Sequence, residues 1–241
     1  MGSHQVVVGF AQQTNYAAAP SQTVSFLVNP ASVLVALTPS TSSSKVGQSV
    51  SFTAAVTSTT ASAPNAAGAV SFYDGVTLLA TIQVNAAGQA TFATAALGAG
   101  LHTIVATYNG SADYGTGSAS ANIVVAQTSS ATKLTPVSNT LTLGQTAQLT
   151  ATVTGVNPTG TVVFAFSGAN LCTSALNAGG VATCGFTPTA AGSLSVTARY
   201  QGDANNLPSS GHIALSVTGS ADSAISLTFA STTWSTLALR M

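Results

Sequence analysis

Hydrophobic and polar residues alternate along most of this chain. Val50, Phe52, Ala54 and Val56 are interleaved with Ser49, Ser51, Thr53 and Ala55, the period-two pattern of a strand with one buried face. The pattern returns in Ala147, Leu149, Ala151 and Val153. It also returns as Val70 and Phe72 against Val162 and Phe164, and as Ile104, Ala106 and Tyr108 against Val196, Ala198 and Tyr200. Turn formers separate these stretches: Asp74-Gly75, Asn85-Ala86-Ala87-Gly88, Asn109-Gly110 and Asn177-Ala178-Gly179-Gly180. No window of useful length has a helical period. About seven short strands in roughly 95 residues predict a sandwich of two antiparallel sheets.

The alternation is itself repeated. Gly100–Tyr108 returns as Gly192–Tyr200, 92 residues on, and more loosely as Gly2–Phe10, 98 residues earlier. A fixed period of this length means stacked modules. Lys45-Val46-Gly47-Gln48-Ser49 leads into the second strand of one module, and Thr142-Leu143-Gly144-Gln145-Thr146 does so 97 residues later. The change of spacing from 97 to 92 places an extra loop at Ser58–Asn65, which costs little because closure entropy grows slowly with length. The chain is therefore expected to be all-β, with tandem immunoglobulin-like antiparallel β-sandwiches at 30–126 and 127–218. Residues 1–29 read as the last two strands of a preceding, partial repeat. Residues 219–241 read as a strand-like segment that begins a further repeat or donates a strand. The short linker Val125-Ala126-Gln127-Thr128 favours a semi-stiff rod.

Composition narrows the function classes. Charged residues make up 3% of the chain, against about 25% in ordinary soluble domains. All four acidic residues are aspartates, and the formal net charge is zero. That removes a nucleic-acid partner, which needs Lys and Arg against phosphate, and electrostatic attraction to anionic lipid. Near-zero charge also leaves self-association weakly opposed. No run of about 18 apolar residues predicts a membrane helix, no basic segment leads into an apolar block, and scattered aromatics do not make barrel girdles. Membrane insertion is not expected.

Several motifs resemble bacterial Ig-like domain repeats. They are Val46-Gly47-Gln48-Ser49-Val50, Gly68-Ala69-Val70-Ser71-Phe72-Tyr73-Asp74-Gly75, Gly100-Leu101-His102-Thr103 and Tyr108-Asn109-Gly110-Ser111-Ala112-Asp113-Tyr114. The second copy matches with Leu143-Gly144-Gln145-Thr146, Gly160-Thr161-Val162-Val163-Phe164 and Tyr200-Gln201-Gly202-Asp203-Ala204-Asn205-Asn206. The resemblance spans about 31–218 in full and 1–29 in part; 219–241 lacks the Gly-Gln signature. It implies an extracellular or bacterial cell-surface protein whose modules act as stalks, adhesin shafts or fibre units. It carries over no catalytic residue and no cofactor.

Cys172 and Cys184 lie twelve residues apart about the Asn177–Gly180 turn. They are expected to face each other across a hairpin and form a disulfide, worth roughly 3 kcal/mol by loop entropy in an oxidising compartment. Their counterparts in the first repeat are Ala80 and Phe92. A metal site would need two further ligands. His102 corresponds to His4 in one copy and Leu194 in the other, which argues for packing near a strand end over proton transfer; His212 is expected to face solvent. Asp74, Asp113 and Asp203 sit in turns where aspartate bonds its own backbone; Asp222 is in the terminal segment. Calcium at Asp113, or at Asp203 with Asn205, is the functional alternative, but calcium wants about 6–8 oxygens. No phosphate loop, nucleophile elbow or carboxylate pair is present, so no enzyme is expected.

The ends carry the remaining signal. Val6, Val8, Phe10, Val24 and Phe26 give residues 1–29 an apolar face that an isolated hairpin cannot bury. Ile225, Leu227, Phe229 and Trp234 pattern similarly near the other end. These residues are expected to mediate assembly, by strand addition between molecules or against neighbouring repeats. A head-to-tail contact that does not close makes a filament. The alternative is an accessory module that binds a surface glycan or receptor, but Tyr73, Tyr114 and Trp234 are scattered for such a site.

Overall fold

The computed structural model describes residues 1–60 and 65–219. All of its regular structure is strand. β1 (Gly2–Phe10) and β2 (Ala19–Val28) form a two-stranded antiparallel sheet. Eight strands follow: β3 (Val33–Pro39), β4 (Ser43–Lys45), β5 (Val50–Ser58), β6 (Ala69–Asp74), β7 (Thr77–Gln83), β8 (Gln89–Thr94), β9 (Gly100–Tyr108) and β10 (Gly117–Ala126). They make a three-stranded sheet, β3-β5-β8, and a five-stranded sheet, β4-β10-β9-β6-β7. A second set repeats the order: β11 (Ala131–Pro136), β12 (Thr140–Thr142), β13 (Ala147–Thr154), β14 (Thr161–Phe166), β15 (Ala169–Ala175), β16 (Val181–Phe186), β17 (Gly192–Tyr200) and β18 (Ser209–Thr218). Its sheets are β11-β13-β16 and β12-β18-β17-β14-β15.

Each sandwich thus has eight strands where the sequence pattern predicts about seven. The first strand is split, and the reason is proline. Pro39 and Pro136 end β3 and β11, the edge strands of the three-stranded sheets. A residue without an N–H cannot extend a ladder. The chain then crosses to the other sheet, where β4 and β12 run parallel to β10 and β18.

Alternation does the packing. Along β5, Val50, Phe52, Ala54 and Val56 are buried while the residues between them are not. They share a core with Val70, Phe72, Ile104, Tyr108 and Ile123 from the five-stranded sheet. The second core holds Leu149, Val162, Phe164, Val196, Tyr200 and Leu215 at the matching positions. Each such side chain contributes about 1.5–3 kcal/mol by leaving water. The turn after β7 recurs after β15: Asn85 Oδ1 accepts from the N–H groups of Ala87 and Gln89 at 2.9 and 3.0 Å, and Asn177 Oδ1 accepts from Gly179 and Val181 at 2.9 and 3.0 Å.

The expected disulfide between Cys172 and Cys184 is present, but its path differs from the sequence expectation. The two residues do not face each other across a hairpin. Cys172 is on β15, at the edge of the five-stranded sheet, and Cys184 is on β16, at the edge of the three-stranded sheet. The segment between them changes sheets, so the bond ties one sheet to the other with the Cα atoms 6.3 Å apart. In the first sandwich Ala80 and Phe92 hold these places, opposite Phe72 and Phe52 as the cysteines lie opposite Phe164 and Leu149. There the Phe92 ring fills the same edge, 5.6 Å from the Phe72 ring. Replacing both cysteines with alanine is expected to lower the stability of the second sandwich by about 3 kcal/mol. Urea unfolding, followed by probes in each sandwich, should show the first sandwich unchanged.

Candidate assembly and joint surfaces

The hairpin residues singled out in the sequence come together on one face. β1 and β2 pair from Gly2↔Val28 through Val6↔Val24 to Phe10↔Ala19, with a bulge between Val8 and Phe10. Val6 is 49% exposed, Val8 65%, Phe10 46%, Val24 61% and Phe26 48%. Their counterparts on β9 and β10 include Ile104, Ala106, Tyr108 and Ile123, all at 0%. The loop agrees as well. Gln13 and Tyr16 exchange two backbone hydrogen bonds, and the Ser111 N–H donates to the Tyr114 carbonyl at the same place in the first sandwich. Tyr16 is exposed and meets Phe10 edge-on at 6.4 Å. His4 stacks on Phe26 at 5.5 Å. Ile225, Leu227, Phe229 and Trp234, with Asp222, lie outside the described residues.

A second surface joins the two sandwiches. The linker is held by the turn between β17 and β18: the Thr128 N–H donates to the Asn205 carbonyl at 2.9 Å, and the Leu207 N–H to the Thr128 carbonyl at 2.8 Å. Gln127 Nε2 donates to the Asp203 carbonyl at 2.7 Å. From the first sandwich, the Ala99 N–H donates to Asn205 Oδ1 at 3.0 Å. The Val156 side chain packs on the first core beside Gly47, whose φ of +83° belongs to the Val46-Gly47-Gln48 turn. A Cβ at Gly47 would sit 3.1 Å from Val156 Cγ2.

Asn206 organises this end. It is fully buried, and its amide behaves as an extra peptide group: Oδ1 accepts from the Val156 N–H at 2.8 Å, while Nδ2 donates to the Val156 carbonyl at 3.0 Å. Gly155 leaves the space for it, since a Cβ there would overlap Asn206 Oδ1. Asp203 supports the arrangement from the other side. Its carboxylate accepts from the N–H groups of Asn205 and Asn206 at 2.7 Å each, from the N–H and hydroxyl of Thr159 at 2.8 and 3.1 Å, and from Asn206 Nδ2. Burial opposes its charge, but these donors prevail and hold the carboxyl well below the usual carboxylate range. Burial, with the Asp203 carboxylate nearby, pushes the Tyr200 phenol up to about 12.

Several sequence expectations are corrected here. Asp203 takes the place of Ser111 in the first sandwich's turn, and the two N–H groups make the same bond across it. With its oxygens already facing five donor groups, the Asp203 carboxylate is built as a turn anchor and presents no open cage for calcium. No cluster of three or more His, Cys, Asp or Glu occurs among the described residues. His102 is not an apolar packing residue. Its Nδ1 lies 2.7 Å from Asp74 Oδ2 and its Nε2 2.9 Å from the Gly98 carbonyl oxygen. Asp74 accordingly bonds across strands instead of closing its own turn. His212 is exposed. Tyr114 is buried and Tyr73 half-buried, so neither offers a stacking platform for a sugar.

Asn206, Gly155 and Val156 were not singled out by sequence reasoning, and Asn205 was considered only as a calcium ligand beside Asp203. The readable trace was the loss of the Tyr114 aromatic at Asn206, which signals a different loop packing. Asp203 yields a pH prediction. Its folded pKa lies below the unfolded one, so its contribution is complete above about pH 4 and is lost as pH falls towards the folded value. Asp203→Asn should therefore flatten the acid limb of the second sandwich's stability curve, measured by urea midpoints from about pH 2 to pH 6.

The family comparison agrees with this architecture. A model of the Bacterial Ig-like domain (group 3) family matches residues 37–127 and 134–218. Among solved structures, the bacterial integrin-binding protein invasin is similar at 17% identity and a TM-score of 0.56, over 78% of this chain and 40% of that one. The adhesin InvE of Yersinia pseudotuberculosis matches at 18% identity and a TM-score of 0.41, over 76% of this chain and 58% of that one. Fibronectin(III)-like modules of Clostridium thermocellum CbhA match at 16% identity and 0.35, over 76% and 95%. No curated protein matches the chain. Two family matches, on two sandwiches of one topology, make this chain a member of the bacterial Ig-like domain (group 3) family.

Proposed function

We propose that the chain is a non-catalytic shaft segment of an extracellular, bacterial surface protein of adhesin type. The observation that carries this reading is the joint. The two sandwiches are not strung on a free linker, because Gln127 and Thr128, directly after β10, are bonded into the second sandwich, while the Ala99–Asn205 bond and the Val156 side chain cross between the two. A joint of that kind suits a part that holds other parts apart. The disulfide suits an oxidising compartment. Invasin, similar in fold, is a bacterial integrin-binding protein, which favours a surface setting without supplying a ligand. A glycan-binding accessory role has no clustered aromatic platform on the described sandwiches to support it.

Pulling single molecules from both ends tests the shaft. Two discrete unfolding events are expected, each releasing about 300 Å of chain. Without reductant the second sandwich should release about 40 Å less, because the bond between Cys172 and Cys184 withholds the residues between them. Gradual extension without discrete events would overturn a load-bearing role.

The hairpin extends the proposal. β1 and β2 are the last two strands of an Ig-like repeat, and their exposed stripe of Val6, Val8, Phe10, Val24 and Phe26 is completed by strands from a neighbouring repeat or a second molecule, head to tail. The segment containing Ile225, Leu227, Phe229 and Trp234 is the candidate donor within a second copy. Sedimentation of the chain should show association that rises with concentration and is weakened at least tenfold, about 1.4 kcal/mol, by Phe26→Asp. A dispersed monomer at all concentrations would remove strand complementation and leave the shaft untouched.

A further inference from the structure

We propose that protonation of His102 sets how firmly the two sandwiches are held together at their joint. The geometry is a relay. Asp74 ends β6 and His102 lies on the adjacent β9, so the pairing of these strands brings the carboxylate to Nδ1 at 2.7 Å. Nε2 lies 2.9 Å from the Gly98 carbonyl oxygen. Neither oxygen has a proton to give at neutral pH. Both ring nitrogens must therefore donate, and imidazole does that only as the cation.

The Gly98 carbonyl and the Ala99 N–H belong to one peptide unit. Its oxygen is held by His102, and its N–H donates 3.0 Å across the joint to Asn205 Oδ1. Charge on the imidazole thus polarises a single peptide plane whose far side grips the next repeat. When the ring loses its proton, one of its nitrogens becomes an acceptor facing an acceptor. Either the Asp74 contact or the Gly98 contact then opens, and the loop carrying Ala99 loses its support.

The rest of the molecule sharpens the assignment. In the second sandwich Phe166, Ala190 and Leu194 take the places of Asp74, Gly98 and His102. A cleft of about 340 Å³ lined by Phe166, Leu171, Phe186, Thr187, Thr189 and Leu194 opens there instead. None of the residues lining that cleft titrates. His4, at the matching hairpin position, stacks on Phe26. Around His102 the residue across from it on β10 is Ile123, and Asp74 is the ionised partner. Lys45 and Asp113, the other charged residues of this sandwich, form no ion pair among the described residues. Burial works against the charge, but the Asp74 carboxylate and the Gly98 carbonyl outweigh it and raise the His102 pKa above its ordinary 6.5. A raised folded pKa means the support is complete below about pH 6.5 and disappears as pH climbs through the folded value.

Nuclear magnetic resonance of the whole chain from about pH 5 to pH 9 tests this. His102 should titrate above 6.5, with both ring N–H protons present in the low-pH form. The Ala99 amide and the Asn205 side chain should shift with the same midpoint. Protection of the Ala99 amide from exchange, corrected for intrinsic rate, should fall about tenfold across it. His102→Leu, the residue found at this place in the second sandwich, should abolish the pH response. Asp74→Asn should lower the midpoint, and it decides the matter if the leucine variant does not fold. A His102 midpoint below 6.5, or an Ala99 signal that ignores the His102 titration, overturns the proposal.

Discussion

Burial of the inward stripes is the interaction on which everything else rests. A strand presents alternate residues to one side, so each sheet has a face that water rejects, and two such faces meeting form the core. Phe52 and Val56 from one sheet share the first core with Phe72, Ile104 and Tyr108 from the other. With 3% charged residues, the chain has few ion pairs to set beside that contact. The same rule explains why β1 and β2 stand out. Their stripe has the spacing of a core, and among the described residues nothing covers it.

On that common frame the two sandwiches diverge at their edges. Where the first has a ring, Phe92, the second has a covalent bond across the sheets. Where the first has an ion pair between His102 and Asp74, the second has an uncharged cleft. These exchanges leave the cores aligned, because they fall at positions that face a sheet edge or the end of the sandwich. Tyr108 and Tyr200 mark how local the differences are. Both are buried at matching sites; the Tyr108 hydroxyl donates to the Ala67 carbonyl, whereas the Tyr200 hydroxyl lies beside Asp203 without a hydrogen-bond partner in good geometry.

Legibility followed the range of the interaction. Strand periodicity, the repeat, and the Asn85 and Asn177 turns are local in sequence, and all were readable from it. The cysteine pair was readable as a pair, but not as a bond between sheets. That depends on the chain leaving the five-stranded sheet after β15, which spacing alone does not encode. The split first strand was missed because Ser40–Lys45 has no hydrophobic residue to mark β4 as a strand. The joint was hidden for a stronger reason. Asn206 meets Val156 from fifty residues away, and Ala99 reaches Asn205 from the previous repeat. Loops of ordinary polar composition carry no period that would announce such meetings.

The amide-built joint has one more consequence, for the medium in which the molecule lives. Dissolved ions screen attraction between surface charges, most fully when they are more than about 10 Å apart at ordinary salinity. Amide-to-carbonyl bonds such as those of Gln127, Asn205 and Asn206 carry no net charge for ions to screen. Salt can therefore weaken the charged His102–Asp74 contact behind Ala99 while leaving the amide bonds of Gln127 and Asn205 in place.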